Sequence, residues 1–290
     1  MRQRGLLTMI DNDMENKLVS IIITTRNEEK SIANCLESIM DQSYEYIELI
    51  VVDNNSTDNT KQIALNYTEN VYNMGPERSA QRNFGIIDVA RGNYIMYIDA
   101  DMTLEPELVQ EAISVIKNET SLVGLFIPLR WIGNNWIIRA KGFEREFYDG
   151  TSLDAARFIR RDAFLKIGGF DNRLFAGEDW DLNKRLKTLG EIGITKNKLY
   201  HYEDESISLK DYINKIYYYS TNLGVYIDKW GTGDRDIKNQ FGIYYRSVGV
   251  FTENGKWKKL VCSPILSFNM YLLKILAMMI FVYKNKKQIH

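Results

Sequence analysis

Residues 18–29 read LVSIIITTRNEE, an apolar, β-branched run over 18–24 that breaks into a polar cluster. A short continuous apolar run of this kind reads as a strand buried on both faces of a parallel sheet. The period then changes. Asn27–Met40 places Ile32, Cys35, Leu36 and Ile39 at helical spacing. The alternation repeats outward from there. IELIVVD (47–53) is a second strand, and Asp58–Asn66 a short helix that the hydroxyls of Ser56 or Thr57 would cap. Pro76 opens a further helix at its first turn, and Gly92 follows its end. NYIMYID (93–99) is a third strand and Glu105–Lys117 the helix after it. This rhythm predicts an α/β fold with a mostly parallel central sheet flanked by helices.

Beyond residue 120 the rhythm loosens. VGLFIPL (123–129) and AARFIRR (155–161) read as strands, with an aromatic-rich helical segment, Trp131–Tyr148, between them. Asp179–Leu189 reads as a helix ending at Gly190, and Leu209–Trp230 as one long helix. The tyrosines at 212, 217, 218, 219 and 226 of that helix read as core or groove wall rather than a cofactor box. No internal repeat or low-complexity stretch interrupts the chain.

The 290 residues are 45% hydrophobic and 26% charged, a globular composition. With 37 basic and 38 acidic residues the net charge is −1, which argues against a general nucleic-acid binder. The balance is uneven. From Lys256 to His290 there are seven lysines and no acid, which leaves 30 basic and 38 acidic residues, net −8, in the remainder. Two cysteines in apolar surroundings, Cys35 and Cys262, build no disulfide framework and point to a reducing compartment. The apolar stretch Leu6–Ile10 is too short for a signal peptide and runs at once into acidic residues. Only two histidines occur, His201 and His290, so catalysis must rest on carboxylates with a metal or cofactor.

In an open parallel sheet, ligands bind beyond the carboxyl ends of the strands. TTRNEE (24–29), DNNSTDNT (53–60) and DADM (99–102) all fall there, with Asp53 and Asp99 each ending an apolar run. Asp99 and Asp101 flank a small Ala100, so an extended segment presents both carboxylates to one ligand. Such a pair suits a hard divalent cation that also binds phosphate oxygens; standing alone it would read as a solvated turn or helix N-cap, and its place after a buried strand of this α/β pattern favours the cation. GPERSAQRNFG (75–85) sets Arg78, Gln81, Arg82 and Asn83 on the first turns of a helix, either an anion site or an ordinary charged face. Glu178 and Asp179 open a helix after a glycine-rich turn. They either complement the helix dipole or supply a general base.

SIIITTRNEE, VVDNNSTDNT, GPERSAQRNFG, YIDADM and GGFDNRLFAGEDWDLNKRL follow one another in the order and approximate spacing of the family 2 glycosyltransferases of GT-A fold. The resemblance covers about residues 18–205. It implies transfer of a sugar, usually with inversion, from a nucleotide-diphospho-sugar to an acceptor hydroxyl. It divides the chain into a polar tail (1–17), a nucleotide-sugar-binding half (18–103), an acceptor-binding half (104–205) and C-terminal helices with an apolar, basic tail (206–290). By that resemblance Thr25, Glu28 and Asp53 are nucleoside contacts, and Arg82 lies near the base and phosphates. Asp99 approaches the ribose or the metal, Asp101 holds Mg²⁺ or Mn²⁺, and Asp179 is the catalytic base with Glu178 beside it. His201 is either a third metal ligand or diphosphate contact, or a structural histidine. Asn54 stands where the family often has a second Asp. No Gln-x-x-Arg-Trp motif is present, which disfavours a processive polysaccharide synthase.

Two rivals meet the same sheet pattern. A sugar-phosphate nucleotidyltransferase usually shows a glycine-rich signature with a Lys near the N-terminus, absent here, and an inactive nucleotide-sugar-binding subunit has no need of Asp99, Asp101 and Asp179. In the tail, Ile265–Tyr283 is a 19-residue apolar stretch with Lys274 at its midpoint. A spanning helix needs about 20 apolar residues, and a central Lys costs roughly 2.5–3.5 kcal/mol. An interfacial or re-entrant helix on an anionic membrane surface is therefore expected, with a buried helix as the alternative. The reading is of a cytoplasmic enzyme, peripheral to the membrane, acting on a lipid-linked or surface-glycan acceptor.

Overall fold

A computed structural model describes residues 18–203 and 205–288, without the side chains of 221 and 280–288. The N-terminal tail, 1–17, lies outside the described residues. The chain forms two compact units, each assembled from several segments: Met1–Pro128, Ala155–Asn172 and Asp181–Leu199 in the first, and Leu129–Asp154, Arg173–Trp180 and Tyr200–His290 in the second.

The first unit holds the sheet. Strands β1 (Val19–Thr25), β2 (Ile47–Asp53), β3 (Val71–Asn73), β4 (Tyr94–Asp99), β6 (Leu122–Phe126), β8 (Ala156–Arg160) and β9 (Glu191–Ile194) assemble in the order β3-β2-β1-β4-β8-β6-β9. A short β5 (Met102–Leu104) follows β4. The four strands from β3 to β4 are parallel neighbours, and β6 pairs parallel with β9. Only β8 runs against its neighbours. Apolar periodicity gives a strand's burial but not its direction, so this reversal could not be read from the sequence. Ile22, Ile50, Val52, Ile95, Tyr97, Phe164, Phe170, Leu182 and Leu186 share one buried cluster.

Helices flank this sheet: α1 (Ile32–Met40), α2 (Thr60–Leu65), α3 (Arg78–Asn83), α4 (Leu108–Asn118) and α6 (Arg161–Lys166). At the amino end of the strands, buried Glu48 accepts from Ser20 Oγ at 2.6 Å, from Arg91 N at 2.9 Å and from Arg91 Nε at 2.6 Å. Gly92 donates to Ser20 Oγ, and a Cβ there would come within 2.6 Å of the Leu18 carbonyl, so no other residue fits.

Several helix boundaries differ from the sequence reading, each for a local reason. Ser56 and Thr57 do not cap α2, because Ser56 turns back onto Asp53 and Thr57 bonds to Asn27. The helix starts two residues later than expected, at Thr60. Pro76 does not open α3, which begins at Arg78 after an extended Glu77 and runs on into a π-helical turn over Phe84–Val89. Leu209–Trp230 is two helices, α8 (Leu209–Asn222) and α9 (Gly224–Trp230), broken ahead of Gly224, a weak helix former.

The second unit contains β7 (Leu129–Ile132), α5 (Trp136–Arg145), α8, α9, α10 (Arg235–Phe241), α11 (Trp257–Cys262) and α12 (Pro264–Gln288), with most of β10 (Leu199–Tyr202). The helix α7 (Glu178–Leu186) begins in this unit and continues into the first. Ser208 and Asp211 form a reciprocal capping box at the start of α8.

One face of α12 is core: Met270 joins Phe143, Phe147, Val250 and Phe251, and Leu273 joins Ile137, Ala140 and Tyr212. Lys274, whose charge argued against a buried helix, faces inward and pairs with Glu144 of α5 at 2.6 Å. A charge with a partner is tolerated where a lone one is not. Cys35 is buried as expected, but Cys262 is exposed. No helix among the described residues is long and apolar enough to cross a membrane.

Candidate active site

The strand ends meet as their register requires. Thr25 of β1 lies opposite Asp53 of β2, and Thr24 lies opposite Asp99 of β4, so the three polar clusters share one sheet edge. The loops after β1 and β2 brace each other. Asn27 N donates to Ser56 Oγ at 2.8 Å, and Thr57 N donates to Asn27 Oδ1 at 2.8 Å. Asn27 and Asn55 both adopt left-handed backbone (φ 56° and 51°), which Asn tolerates better than most residues.

Within this edge Thr25 is buried, and its Oγ1 has no hydrogen-bond partner among the described residues. Glu28 N donates to Thr60 Oγ1 at 2.7 Å, while Glu28 Oε2 accepts from Ser31 Oγ at 2.6 Å. The Asp53 carboxylate is buried and accepts from the backbone N–H and hydroxyl of Ser56. Asn54 Nδ2 donates to the Pro76 carbonyl at 2.6 Å and packs where a Cβ on residue 75 would stand, which accounts for Gly75.

Asp99 is the electrostatic centre. Its Oδ1 accepts from Arg82 Nη2 at 3.1 Å and from Thr24 Oγ1 at 3.2 Å. Arg82 is fully buried, with its guanidinium carbon 4.7 Å from the Tyr97 ring centroid and 5.4 Å from that of Phe170. Burial alone would raise the Asp99 carboxyl. Arg82 first, then Arg157 and Arg78, instead hold it well below the usual carboxylate range. Asp101, two residues on, is half-buried at the same edge. Buried Cys35, beneath, has its thiol pushed far up by burial and by the charges of Asp101, Asp99 and Glu28.

The helix residues grouped with Arg82 in the sequence divide by role. Gln81 is buried and donates to the carbonyls of Val52 (2.7 Å) and Thr25 (3.2 Å), tying the ends of β2 and β1 together. Asn83 exchanges hydrogen bonds with the Phe170 backbone (2.9 and 2.8 Å) and donates to Asn172. The amide donors of both are taken, which leaves the two arginines of that set, Arg78 exposed and Arg82 buried, as the candidates for an anion. Gly168 and Gly169 have φ of 79° and 70°, and a Cβ on Gly169 would stand 2.5 Å from Asn83 Oδ1.

Glu178, Asp179 and His201 belong to the second unit. Glu178 is buried and Asp179 half-buried at the start of α7. Gly177 before them has φ 79° and lies against Tyr226, and Trp180 packs on Tyr226 and Phe241. Trp180 is thereby a packing residue. The His201 ring sits 4.7 Å from the Trp131 indole, centroid to centroid. Arg157, not singled out in the sequence, is a second arginine of β8 beside Arg160, buried between Ala156 and Phe158.

A divalent ion requires hard oxygen ligands. Asp99, held ionised by its arginines, and Asp101 supply them at one strand end, so the residues fit Mg²⁺ or Mn²⁺. Among the described residues, no group of three or more His, Cys, Asp or Glu side chains is placed to hold an ion alone.

The model of the family "Glycosyl transferase family 2" matches residues 20–171, and the chain belongs to that family. Chondroitin synthase of Escherichia coli is 27% identical over 211 residues, covering 67% of this chain and 30% of that protein. The putative glycosyltransferase EpsH of Bacillus subtilis is 34% identical over 116 residues, 38% of this chain and 33% of that one. The chain thus spans about a third of the length of these relatives. Among solved structures, the mannosyltransferase PcManGT of Pyrobaculum calidifontis, in complex with GDP-Man and Mn²⁺, superposes with a TM-score of 0.57 at 14% identity, covering 94% of this chain and 80% of that one. TarS 1–349 of S. aureus, in complex with UDP-GlcNAc, gives 0.51 at 18% identity, covering 78% and 76%. These likenesses establish the GT-A fold.

Proposed function

We propose that this glycosyltransferase moves a sugar from a nucleotide-diphospho-sugar to an acceptor hydroxyl with inversion, assisted by Mg²⁺ or Mn²⁺. The observation that carries the reading is the single sheet edge on which Thr25, Asp53, Asp99 and Asp101 are gathered, with Arg82 buried against Asp99. The nucleotide sugars and Mn²⁺ in the structural neighbours support the donor and the ion. Thr25, Glu28 and Asp53 contact the nucleoside, Arg82 lies near the base and phosphates, and Asp99 approaches the ribose or the metal. For Asp53 the contact is limited by its burial and its bonds to Ser56.

Asp101, with Asp99, would hold the ion, whereas His201, a candidate third ligand in the sequence, packs on Trp131, and no three such side chains among the described residues are placed to hold an ion together. When bound, such an ion stabilises the charge that builds on the departing diphosphate. Asp179 takes the proton of the acceptor hydroxyl. The acceptor oxygen forms its bond to the anomeric carbon as the carbon–oxygen bond to the diphosphate breaks, and nucleoside diphosphate leaves. Glu178, more deeply buried, orients the acceptor or caps α7.

The acceptor is a lipid-linked or surface glycan, and the enzyme is cytoplasmic and peripheral to the membrane. Support comes from α12. Ile265, Phe268, Leu272, Ile275 and Met279 follow one helical stripe, all exposed, with Ile265 at 75% and Phe268 at 69%. Lys258 of α11 is exposed, whereas Lys256 and Lys259 bond within the unit, to the Phe147 carbonyl and Glu146. The side chains of Lys284, Lys286 and Lys287 lie outside the described residues. Release of UDP or GDP from a panel of nucleotide-sugars, with Mn²⁺ present, tests the function. Release of pyrophosphate from a nucleoside triphosphate instead would indicate a nucleotidyltransferase.

A further inference from the structure

Strand β8 is apolar and buried at Ala156, Phe158 and Ile159, yet carries Arg157 between them, itself only 7% exposed. Its pairing with β4 sets Met96 opposite Phe158, so the next step along the antiparallel ladder brings Arg157 beside Tyr97. The contact agrees: the guanidinium carbon of Arg157 is 5.6 Å from the Tyr97 ring centroid, the ring that Arg82 also covers.

The two arginines differ in what satisfies them. Arg82 is ion-paired to Asp99. Arg157 has no ion pair among the described residues, and its Nε and Nη1 are buried without a hydrogen-bond partner. Buried donors of this kind cost about 1–3 kcal/mol each, more on a charged group, and arginine is rarely buried unpaired. The cost falls in the middle of a sheet, where an aliphatic residue would pack without penalty. Stability therefore does not explain Arg157. A carboxylate in its field, Asp99, is already bonded to Arg82 and Thr24. Unsatisfied cationic donors beside the sheet edge call for an anion that the protein itself does not supply.

We propose that Arg157 is a donor-binding residue whose Nε and Nη1 donate to an oxyanion of the nucleotide-sugar. This deepens the reading above and rests on it. Two parts of a donor carry such an oxygen: the diphosphate, common to all donors, and a carboxylate on the sugar, present only in uronate donors. Arg157 thereby either strengthens diphosphate binding or selects an acidic sugar.

The test is calorimetric affinity of the full-length wild type, R157Q and R157K for UDP, GDP, UDP-N-acetylglucosamine and UDP-glucuronic acid, in Mn²⁺ and in EDTA, beside their ligand-free melting temperatures. R157Q is expected to melt no lower than wild type, because it removes a buried, unpaired cation. Its donor affinity should fall about 10- to 100-fold, the worth of a charge-assisted hydrogen bond. Loss for UDP or GDP in both Mn²⁺ and EDTA assigns the diphosphate. Loss confined to UDP-glucuronic acid assigns the sugar carboxylate. If R157Q does not fold, R157K, which keeps the charge but not the two donors, carries the same comparison. Affinities unchanged within twofold for every ligand overturn the proposal. So does a loss seen only in Mn²⁺, which would mean that Arg157 acts through Asp99. A wild type that binds neither UDP nor GDP would instead overturn the nucleotide-sugar reading itself.

Discussion

Arg82 Nη2 donates to Asp99 Oδ1 across 3.1 Å, and the arginine, 1% exposed, is enclosed by Tyr97 and Phe170. The pair ties α3 to the end of β4 and fixes the carboxylate that begins the DAD turn. Breaking a buried pair by removing one partner typically costs about 3–5 kcal/mol, because the other charge stays buried. Arg82→Met should therefore lower unfolding free energy by an amount of that order, discounted for the fifth of Asp99 that is exposed. Urea denaturation measures it, and a change under 1 kcal/mol would show that the pair does not hold the edge together.

Glu48 clamps the opposite end of the sheet. Burial would raise its carboxyl, but the bonds from Ser20 and Arg91 bring it below the usual value. A group with a depressed folded pKa stabilises above its unfolded pKa, about 4.3 for Glu, and loses that contribution as pH falls through the lower folded value. Glu48→Gln should cost about 1.5–3 kcal/mol at pH 7. It should also show a shallower loss of stability below about pH 4 than wild type. Parallel acid limbs in the two stability curves would refute this role.

Much of the donor edge was legible because its cause is local. Apolar runs ending in polar clusters gave β1, β2 and β4, and parallel register then had to bring Thr25, Asp53 and Asp99 to one rim. What was not legible depends on contacts distant in sequence. Gln81 and Asn83 looked like ligands for an anion because their partners, the strand-end carbonyls and the Phe170 loop, adjoin them only in the folded chain. Lys274 looked like an obstacle to burial because Glu144 lies 130 residues away. Arg157 does not stand out in the sequence because β8 carries two arginines, and a strand pattern does not say which of them is buried.

Asp179 lies in the first turn of α7, after the glycine-rich turn that ends at Gly177. Asp179→Asn keeps the shape and removes the proton acceptor. Donor affinity should survive while turnover falls about 100-fold or more. Glu178→Gln should have the smaller effect on turnover and the larger one on acceptor affinity. Near-normal turnover in Asp179→Asn with an inactive Glu178→Gln would move the base to Glu178.

The exposed stripe of α12 gives a separable prediction. Phe268→Asp and Ile275→Asp together, both on the exposed face and away from Met270 and Leu273, should leave melting temperature and nucleotide affinity unchanged. The same change should abolish co-sedimentation with phosphatidylglycerol vesicles at low salt. Wild-type protein that does not bind such vesicles would contradict membrane docking, and a concentration-dependent dimer lost in the variant would assign the stripe to self-association.

The DAD turn, Asp99 to Asp101, is the proposed metal-assisted donor site. The most direct measurement is release of nucleoside diphosphate by wild type and Asp101→Asn, each on the preferred nucleotide-sugar, in Mn²⁺ and in excess EDTA. Wild type should turn over in Mn²⁺, lose turnover in EDTA and regain it on adding Mn²⁺ back, and Asp101→Asn should be slower by orders of magnitude under every condition. Full activity of the wild type in excess EDTA, or of Asp101→Asn in Mn²⁺, would contradict metal assistance at this turn.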